Sequence, residues 1–498
     1  MKLEKDSIRE AAAKIRFKTQ AFIGGGYVDA LSGKTFTSEN PATGRVLAEI
    51  AQCDRQDVDK AVLCAREAFD NGPWPKMHPN ERKEILVKLA ELIEHNGDEL
   101  ALLDALDAGK PISDCVNIDI PETVHCIRWH AEAADKLYDQ ISPTGPGTIG
   151  MIIREPIGVV GAVVPWNFPL LMAAWKLGPA LATGNTVVVK PSKQTTLSVL
   201  RLAELAQEAG VPAGVLNAVS GPGETAGQAI GRHMGVDAVT FTGSTEVGRK
   251  FLQYSSESNL KRIVLELGGK SPQVVMGDVT DLDYIAEHVV NAAFWNMGEN
   301  CSAGSRLIVH KSIKDALLER VIAKTKEWPV GDPLDPATKI GSMIDKRQME
   351  KVLEYIEVGK AEGAEIALGG NRILRETGGY FIEPTIFDNV RNDMRIAQEE
   401  IFGPVLVTIT FETEAEAIAI ANDTTYGLAA SLHTDDVSAA HRLARAIRAG
   451  TVSVNCYSEG DITTPFGGYK QSGFGGRDNG AHAHDQYTEI KTIWIQLK

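Results

Sequence analysis

The chain has 498 residues, 43% of them hydrophobic, which is enough apolar mass for two or three packed structural units. Its 51 basic and 66 acidic side chains give a net charge of −15, and a field of that sign repels nucleic acids and anionic membranes. Because no apolar stretch approaches the ~20 residues of a membrane span, and the charged segment from Met1 to Phe17 lacks an apolar signal core, we expect a cytoplasmic protein.

The first 135 residues begin with a turn-rich stretch and continue with a helical pattern. Apolar residues between Ile85 and Ile93 recur at the 3.6-residue period, which predicts one buried helix face. We expect Asn80 to be the N-cap of this helix.

From Gly158 the pattern changes to short apolar runs that alternate with helix-like segments. Buried parallel strands have such continuous apolar sequences, and each crossover between them needs a helix. The alternation therefore predicts a doubly wound α/β sheet and, with it, a nucleotide cofactor. The predicted strands are 159–164, 186–190, 215–219, 238–242 and 262–267.

After Gly268 the alternation resumes and predicts a second α/β unit that extends to about residue 455. Its first elements are a helix over 283–297, a strand over 306–310 and a helix over 314–326. The stretch 460–480 lacks a core period and is predicted to be loop. The final segment, TEIKTIWIQL, alternates like a strand and needs a partner sheet, for which pairing across a subunit boundary is one solution.

Two groups of residues follow predicted strands at positions where a ligand could bind. Gly243 and Ser244 lie where a strand ends and a helix begins, so free backbone amides there could bind a pyrophosphate, or Ser244 could simply cap the helix. A weaker glycine cluster, GPGETAG at 221–227, also follows a strand.

Three further residues could perform chemistry, and each also has a purely structural interpretation. Cys301 lies beside Gly298 in a region able to expose a thiol, although a single cysteine is usually a small buried apolar residue. Glu266 ends a strand next to paired glycines, where it is either a site carboxylate or a surface side chain. The Asn167 amide could donate to an oxyanion or stabilise a turn. The six cysteines show neither disulfide nor zinc spacing.

Taken together, these segments resemble the aldehyde dehydrogenase superfamily over residues 20–498. The motifs PWNFP (165–169), KPS (190–192), FTGST (241–245), ELGGKS (266–271), GENC before Cys301 and EEIFGPV (399–405) occur in the family's order and approximate spacing. The segments MIIREPIGVVGAVVPWNFPLL and DITTPFGGYKQSGFGGRD are most similar to the branch that oxidises aminoaldehydes from polyamine breakdown, including γ-glutamyl-γ-aminobutyraldehyde and 4-guanidinobutyraldehyde dehydrogenases.

The resemblance implies an α/β fold with two doubly wound domains, a Rossmann-like cofactor domain and a catalytic domain, plus a small β oligomerisation arm. The implied ranges are 1–135 and 158–266 for the cofactor domain, 267–479 for the catalytic domain, and 136–157 and 480–498 for the arm. A homodimer or homotetramer is expected.

The resemblance also implies catalytic roles. Cys301 would attack the aldehyde as a thiolate, the Asn167 amide and the Cys301 backbone N–H would hold the oxyanion, and Glu266 would activate the water that hydrolyses the thioester. Glu266 argues against an enzyme that passes the acyl group to coenzyme A. The three residues together argue against an inactive binding protein on the same fold.

For the cofactor, NAD or NADP, the implied contacts are Lys190 and Glu400 with the riboses and Phe402 near the nicotinamide. Gly243 and Ser244 would lie at the pyrophosphate, Gly223 beside the adenine, and Ser192 in the same binding segment. Many NAD-using members carry a glutamate three residues after the lysine, but this chain has Lys193. That cation either accepts a 2′-phosphate or is merely solvated.

The aldehyde tunnel is implied to have an aromatic wall that includes Phe168, Trp175, Trp295 and Tyr457. Glu459 and Asp461 follow in the next loop, where they either meet a cationic group on the substrate or are solvated. A broad-specificity enzyme for neutral aldehydes remains an alternative. No metal ligand set is predicted.

Overall fold

A computed structural model describes residues 5–458 and 460–498. Within these ranges the strands are, in chain order, β1 (Ala21–Ile23), β2 (Gly26–Val28), β3 (Thr35–Asn40), β4 (Arg45–Ala51), β5 (Gln140–Ser142), β6 (Thr148–Pro156), β7 (Val159–Val163), β8 (Thr186–Lys190), β9 (Leu216–Ala218), β10 (Ala238–Thr242), β11 (Arg262–Glu266), β12 (Pro272–Val275), β13 (Arg306–His310), β14 (Glu365–Leu368), β15 (Arg372–Ile373), β16 (Phe381–Ile382), β17 (Thr385–Asp388), β18 (Val405–Phe411), β19 (Ala429–His433), β20 (Thr451–Val454), β21 (Gly473–Phe474) and β22 (Thr488–Gln496).

The α-helices of the same ranges are α1 (Lys5–Lys14), α2 (Arg55–Asp70), α3 (Pro79–His95), α4 (Gly97–Ala108), α5 (Ile112–Asp114), α6 (Ile120–Ala133), α7 (Pro169–Ala182), α8 (Leu197–Ala209), α9 (Gln228–Arg232), α10 (Thr245–Ser256), α11 (Leu282–Phe294), α12 (Lys314–Lys326), α13 (Lys346–Ala361), α14 (Arg395–Gln398), α15 (Glu414–Asn422) and α16 (Val437–Ala446). None of the helices in the described part of the chain has the length and apolar character needed to cross a membrane.

The first sheet has the strand order β2-β1-β9-β8-β7-β10-β11-β21. Its five central strands are parallel, and the strand order reverses between β7 and β10. Side chains of the central strands alternate between two cores: Val160 packs into the core with α7 and α8, whereas Val159 packs into the core with α2. Both faces are therefore covered, as the continuous apolar runs predict.

The second sheet has the order β14-β17-β18-β13-β12-β19-β20 and is parallel except at β14. A separate hydrophobic core, with α11, α12 and α13, packs on it. The two predicted doubly wound α/β units are thus both present. The helix predicted over 283–297 ends earlier, at Phe294, because Asn296 and Met297 take left-handed backbone conformations with φ of 53° and 59°.

The remaining large β element is a three-stranded antiparallel sheet, β22-β6-β5. The last strand, β22, pairs along its whole length with β6 of the same chain, from Thr488–Pro156 to Gln496–Thr148, so its partner sheet lies within the chain. The short strand β21, in the range assigned to the catalytic domain, pairs with β11 of the first sheet. The domain ranges themselves stay a prediction.

The N-cap predicted for α3 was wrong. The cap is His78, whose ring nitrogen accepts a hydrogen bond from the backbone N–H of Asn80 at 3.3 Å. Pro79 stands at the first helical position, where its missing N–H costs nothing, so the helix begins one residue before Asn80. The apolar face is as expected, since Leu86, Leu89 and Ile93 are buried.

Candidate active site

The first sheet places four of the candidate residues at one edge. Asn167 follows β7, Lys190 ends β8, Gly243 follows β10 and Glu266 ends β11. In adjacent parallel strands Val163 pairs with Lys190, and Thr242 pairs with Glu266, so these carboxyl ends are in register. They flank the reversal of strand order, which is where open α/β sheets bind ligands.

The second sheet contributes residues from the loops that precede its strands. Cys301 lies before β13, and Glu400 lies before β18. Gly269 lies against both residues. A side chain at position 269 would collide with the carbonyl oxygen of Cys301. The Gly269 N–H donates to Glu400 Oε1 at 3.1 Å. The Cys301 backbone and the Glu400 carboxylate therefore both lie close to Gly269.

Asn167 is buried, and hydrogen bonds hold both its side-chain amide and its backbone carbonyl. Its side-chain Nδ2 donates to the carbonyl oxygen of Glu299 at 2.9 Å, two residues before Cys301. Its own carbonyl oxygen accepts from Lys110 Nζ at 3.1 Å and from Asn296 Nδ2 at 3.2 Å. An amide nitrogen carries two N–H donors, so one bond to Glu299 fixes the group and leaves a second donor for an oxyanion.

Cys301 is partly exposed, whereas its neighbours Asn300 and Ser302 are buried. The Tyr457 hydroxyl bridges these neighbours, at 2.9 Å from Asn300 Nδ2 and 3.2 Å from Ser302 Oγ. The two left-handed residues that end α11 turn the chain just before this segment. Such left-handed backbone at non-glycine residues concentrates at functional sites.

Glu266 is 3% exposed and its carboxylate packs against Gly467, where any side chain would collide with it. Burial raises the pKa of this carboxyl well above its ordinary value; Asp478 raises it further, whereas Lys176 and Arg477 oppose the shift. A buried acid of this kind can hold a proton at neutral pH and release it as the pH rises.

An ion pair that was not predicted from the sequence acts electrostatically on Glu266. Lys176 on α7 and Asp478 in the C-terminal loop form a salt bridge whose side chains are 0% and 1% exposed. A lysine within the apolar helix sequence PLLMAAWKLGPALA is a signal that a buried partner must exist. Nothing local identifies that partner, which lies some 300 residues away in the chain.

A dinucleotide fits the residues around the first sheet. Ser244 caps α10 by accepting a hydrogen bond from the Val247 N–H at 3.3 Å, so the prediction that Ser244 is a helix cap is confirmed. Capping leaves the other first-turn amides of α10 without intrahelical acceptors, which suits a phosphate. Gly243 is partly exposed beside this helix end, and Gly223 is exposed with open space above it.

Lys190 is 3% exposed, and its Nζ donates to the Pro191 carbonyl oxygen at 2.8 Å. Burial lowers the pKa of this amine to about 8, against the opposing effect of Glu224, and Lys193 lowers it further. Ser192 donates to Gln194 Oε1 at 2.6 Å. Lys193 is exposed and has no hydrogen-bond or ion-pair partner among residues 5–458 and 460–498.

Glu400 and Phe402 lie together before β18. The Glu400 carboxylate fills the space that a side chain at Gly268 would need, so only glycine permits this approach. Burial raises the pKa of the Glu400 carboxyl, while the Gly269 N–H opposes the shift. Phe402 has a left-handed backbone, with φ of 61°, and its ring meets Trp166 edge to face at 5.2 Å.

Three aromatic side chains predicted to form a tunnel wall pack against other rings. Phe168 and Trp295 have ring centroids 5.2 Å apart, and Trp175 lies 5.1 Å from Phe466, which was not predicted. Asp461 is exposed and accepts from the Thr463 N–H at 2.9 Å, which lowers the pKa of its carboxyl. Glu459 lies outside the described residues.

A family model described as "Aldehyde dehydrogenase family" matches residues 27–493. Among curated proteins, an aminoacetaldehyde dehydrogenase from Pseudomonas aeruginosa is 55% identical over 493 residues, which cover 99% of this chain and 99% of the relative.

Two solved structures are similar over 99% of this chain. An indole-3-acetaldehyde dehydrogenase in complex with NAD+ superimposes with a TM-score of 0.98 at 53% identity and is covered to 99%. A γ-glutamyl-γ-aminobutyraldehyde dehydrogenase from Burkholderia cenocepacia gives a TM-score of 0.97 at 50% identity and is covered to 100%.

Proposed function

Because this chain belongs to the aldehyde dehydrogenase family, we propose that it oxidises an aldehyde to the free carboxylate with NAD or NADP. The observation that carries the proposal is the placement of Cys301. Cys301 is partly exposed and lies two residues after the carbonyl that anchors the Asn167 amide. Its own backbone carbonyl lies against Gly269, whose N–H donates to the Glu400 carboxylate.

The residues account for each step on the protein. The Cys301 thiolate adds to the aldehyde carbon and forms a thiohemiacetal, whose oxyanion receives N–H donors from Asn167 and from the Cys301 backbone. NAD or NADP, when held by the coenzyme-binding residues, would supply the hydride acceptor that conversion of the thiohemiacetal to a thioester on Cys301 requires. Glu266 then removes a proton from water, the hydroxide adds to the thioester, and collapse releases the carboxylate and the thiolate.

The coenzyme-binding residues fit a dinucleotide. The N-terminus of α10 at Gly243 and Ser244 would bind the pyrophosphate, and Gly223 would lie beside the adenine. The Lys190 ammonium and the Glu400 carboxylate offer a donor and an acceptor for ribose hydroxyls, and Phe402 supplies an apolar contact near the nicotinamide.

The test is to mix the protein with an aldehyde and either coenzyme and to follow reduced nicotinamide by absorbance, with coenzyme A omitted. We expect turnover with stoichiometric carboxylate. Formation of reduced coenzyme only on addition of coenzyme A would replace the proposal by the acylating reaction. Absence of reduced coenzyme over a broad aldehyde panel would leave an inactive protein on the same fold.

Lys193 is proposed to face the adenosine ribose, because it is exposed and close enough to Lys190 to lower the pKa of that amine. Lys193→Glu places a negative charge against a 2′-phosphate. We expect the KM for NADP to rise by about tenfold or more, corresponding to ~1.4 kcal/mol, with little change for NAD. Steady-state kinetics with both coenzymes measure this.

Lys34→Glu is the matched control, since Lys34 is also an exposed lysine but lies in the turn before β3. It should leave both KM values unchanged. Equal effects of Lys193→Glu on NAD and NADP would show that Lys193 does not contact the 2′-phosphate.

The proposed substrates are aminoaldehydes or guanidinoaldehydes. An aminoacetaldehyde dehydrogenase and a γ-glutamyl-γ-aminobutyraldehyde dehydrogenase are similar over nearly the whole chain, which supports this class. The similar indole-3-acetaldehyde dehydrogenase keeps a neutral aromatic aldehyde as the second candidate, favoured by Trp175, Phe466 and Tyr457. Exposed Asp461 would pair with a substrate cation, and aromatic rings would add cation–π attraction of about 0.5 to 2 kcal/mol.

Asp461→Asn tests the charge pair alone, because asparagine keeps the acceptor for the Thr463 N–H. An exposed ion pair contributes roughly 0 to 1 kcal/mol, so we expect kcat/KM for 4-aminobutyraldehyde to fall by up to about fivefold and that for butyraldehyde to stay unchanged. Asp435→Asn, another exposed aspartate, is the control. An unchanged ratio between the two aldehydes would show that Asp461 is solvated surface.

A homodimer or homotetramer is part of the proposal. The three-stranded sheet exposes large apolar side chains, with Ile490 at 65% and Trp494 at 61%, and an exposed patch of this kind is typical of an interface. Analytical ultracentrifugation would give the number of subunits.

A further inference from the structure

Lys110 is a buried cation to which the proposed mechanism gives no role. It follows α4 and the left-handed Gly109, and its side chain is 1% exposed. The ammonium lies 2.6 Å from Asp119 Oδ2, 3.1 Å from the Asn167 carbonyl oxygen and 3.7 Å from the centroid of the Phe168 ring.

These three contacts consist of one ion pair, one hydrogen bond and one cation–π contact. An ammonium has three N–H donors and no acceptor, and here a carboxylate, a carbonyl and the face of an aromatic ring surround it. Burying a charge is costly unless it is paired, and apolar residues could fill the same volume at lower cost. Two of the three partners are consecutive residues of the candidate site, namely the amide donor and the tunnel aromatic.

We propose that Lys110 is a positioning residue that fixes Asn167 and Phe168 for oxyanion binding. The inference rests on the proposed function, because it assigns to Asn167 the oxyanion of the thiohemiacetal. Lys110 itself acts through these neighbours and is not proposed to touch the substrate.

The hydrogen bonds of Asn167 link the Lys110 ammonium, which binds its backbone carbonyl, to the orientation of its side-chain amide. The Asn167 carbonyl is held by Lys110 and Asn296, and its Nδ2 is held by the Glu299 carbonyl oxygen. The next residue, Phe168, is the N-cap of α7 and has no side-chain capping bond, so its conformation depends on contacts with other segments. Removal of the ammonium takes away one of the two hydrogen bonds that hold the Asn167 carbonyl, and it removes the cation that packs on the Phe168 ring.

A purely structural role is the competing explanation, since Lys110 and Asp119 could simply hold two segments together. Lys110→Met alone would leave a buried, uncompensated carboxylate at Asp119 and could fail to fold. The double variant Lys110→Met/Asp119→Asn removes both charges at similar volume and is therefore the informative variant. Lys314→Met, which breaks the partly buried pair with Asp388 at 2.8 Å, is the matched control for loss of an ion pair.

The experiment measures three quantities on the full-length protein: Tm, coenzyme affinity by quenching of protein fluorescence, and the rate constant of the pre-steady-state burst of reduced coenzyme. For the double variant we expect Tm and coenzyme affinity close to the parent and a burst ten- to a hundredfold slower, because misplacement by about 1 Å can cost that much. The control Lys314→Met should keep the parental burst rate. A parental burst rate in the stable double variant would overturn the proposal.

A double-mutant cycle with Asn167→Ala then tests whether Lys110 acts through Asn167. In the parent, loss of one oxyanion donor should slow the burst by about 10² to 10³. If Lys110 acts by placing Asn167, the same substitution should cost about ten- to a hundredfold less in the double variant than in the parent, because the double variant has already lost that part of the effect. Full additivity would overturn the proposal. A parent that forms no reduced coenzyme with any aldehyde would instead contradict the proposed function, so the two failures are distinguishable.

Discussion

Cys301→Ala is expected to reduce aldehyde oxidation by at least a thousandfold while coenzyme binding stays near the parental value. In the proposed mechanism the thiolate forms the only covalent bond to the substrate, whereas the proposed coenzyme contacts, Lys190, Ser244 and Glu400, lie on other elements. Steady-state rates and fluorescence titration with NADH measure the two properties.

Cys64→Ala provides the control, because Cys64 is also a partly exposed cysteine but lies on α2. It should retain parental turnover. Activity of Cys301→Ala within tenfold of the parent would remove the nucleophile assignment.

Glu266→Gln should separate the two halves of the reaction. The amide cannot take a proton from water, so thioester hydrolysis slows by about a hundredfold or more, but hydride transfer does not need this base. We therefore expect a burst of reduced coenzyme of about one equivalent per site, followed by very slow turnover. Stopped-flow absorbance resolves both phases.

The pH dependence of turnover is an independent test of the role of Glu266. Burial raises the pKa of Glu266, so the ionised form becomes populated only as the pH rises, and turnover of the parent should increase through that pKa. In Glu266→Gln this increase of turnover with pH should be absent. Glu91→Gln, at an exposed position of α3, should behave like the parent. Loss of the burst together with turnover would assign Glu266 to an earlier step, such as activation of the thiol.

The sequence predicts the sheets well because buried parallel strands have continuous apolar sequences. The runs TVVVK and AVTFT coincide with β8 and β10, and the residues that follow them reach the same sheet edge. The helix cap at Asn80 was wrong because capping depends on backbone geometry, which permits the His78 ring to replace a smaller polar side chain.

Buried ion pairs are the part of the site that sequence reasoning does not find. Lys110 and Lys176 are visible as cations next to or within apolar stretches, but their partners, Asp119 and Asp478, are defined only by tertiary packing. The same is true of Glu299, which contributes its backbone carbonyl rather than its side chain to the Asn167 amide. No residue-type pattern encodes a main-chain contact of this kind.

The division of the site between two sheets has a consequence for thermal inactivation. Asn167 and Glu266 depend on the cores of the first sheet, whereas Cys301 and Glu400 depend on the separate core of the second. Loosening of either core moves two of these four candidate residues relative to the other two. Enzyme activity is therefore expected to decay with the less stable of the two cores, at temperatures where circular dichroism still reports most of the helix and strand content.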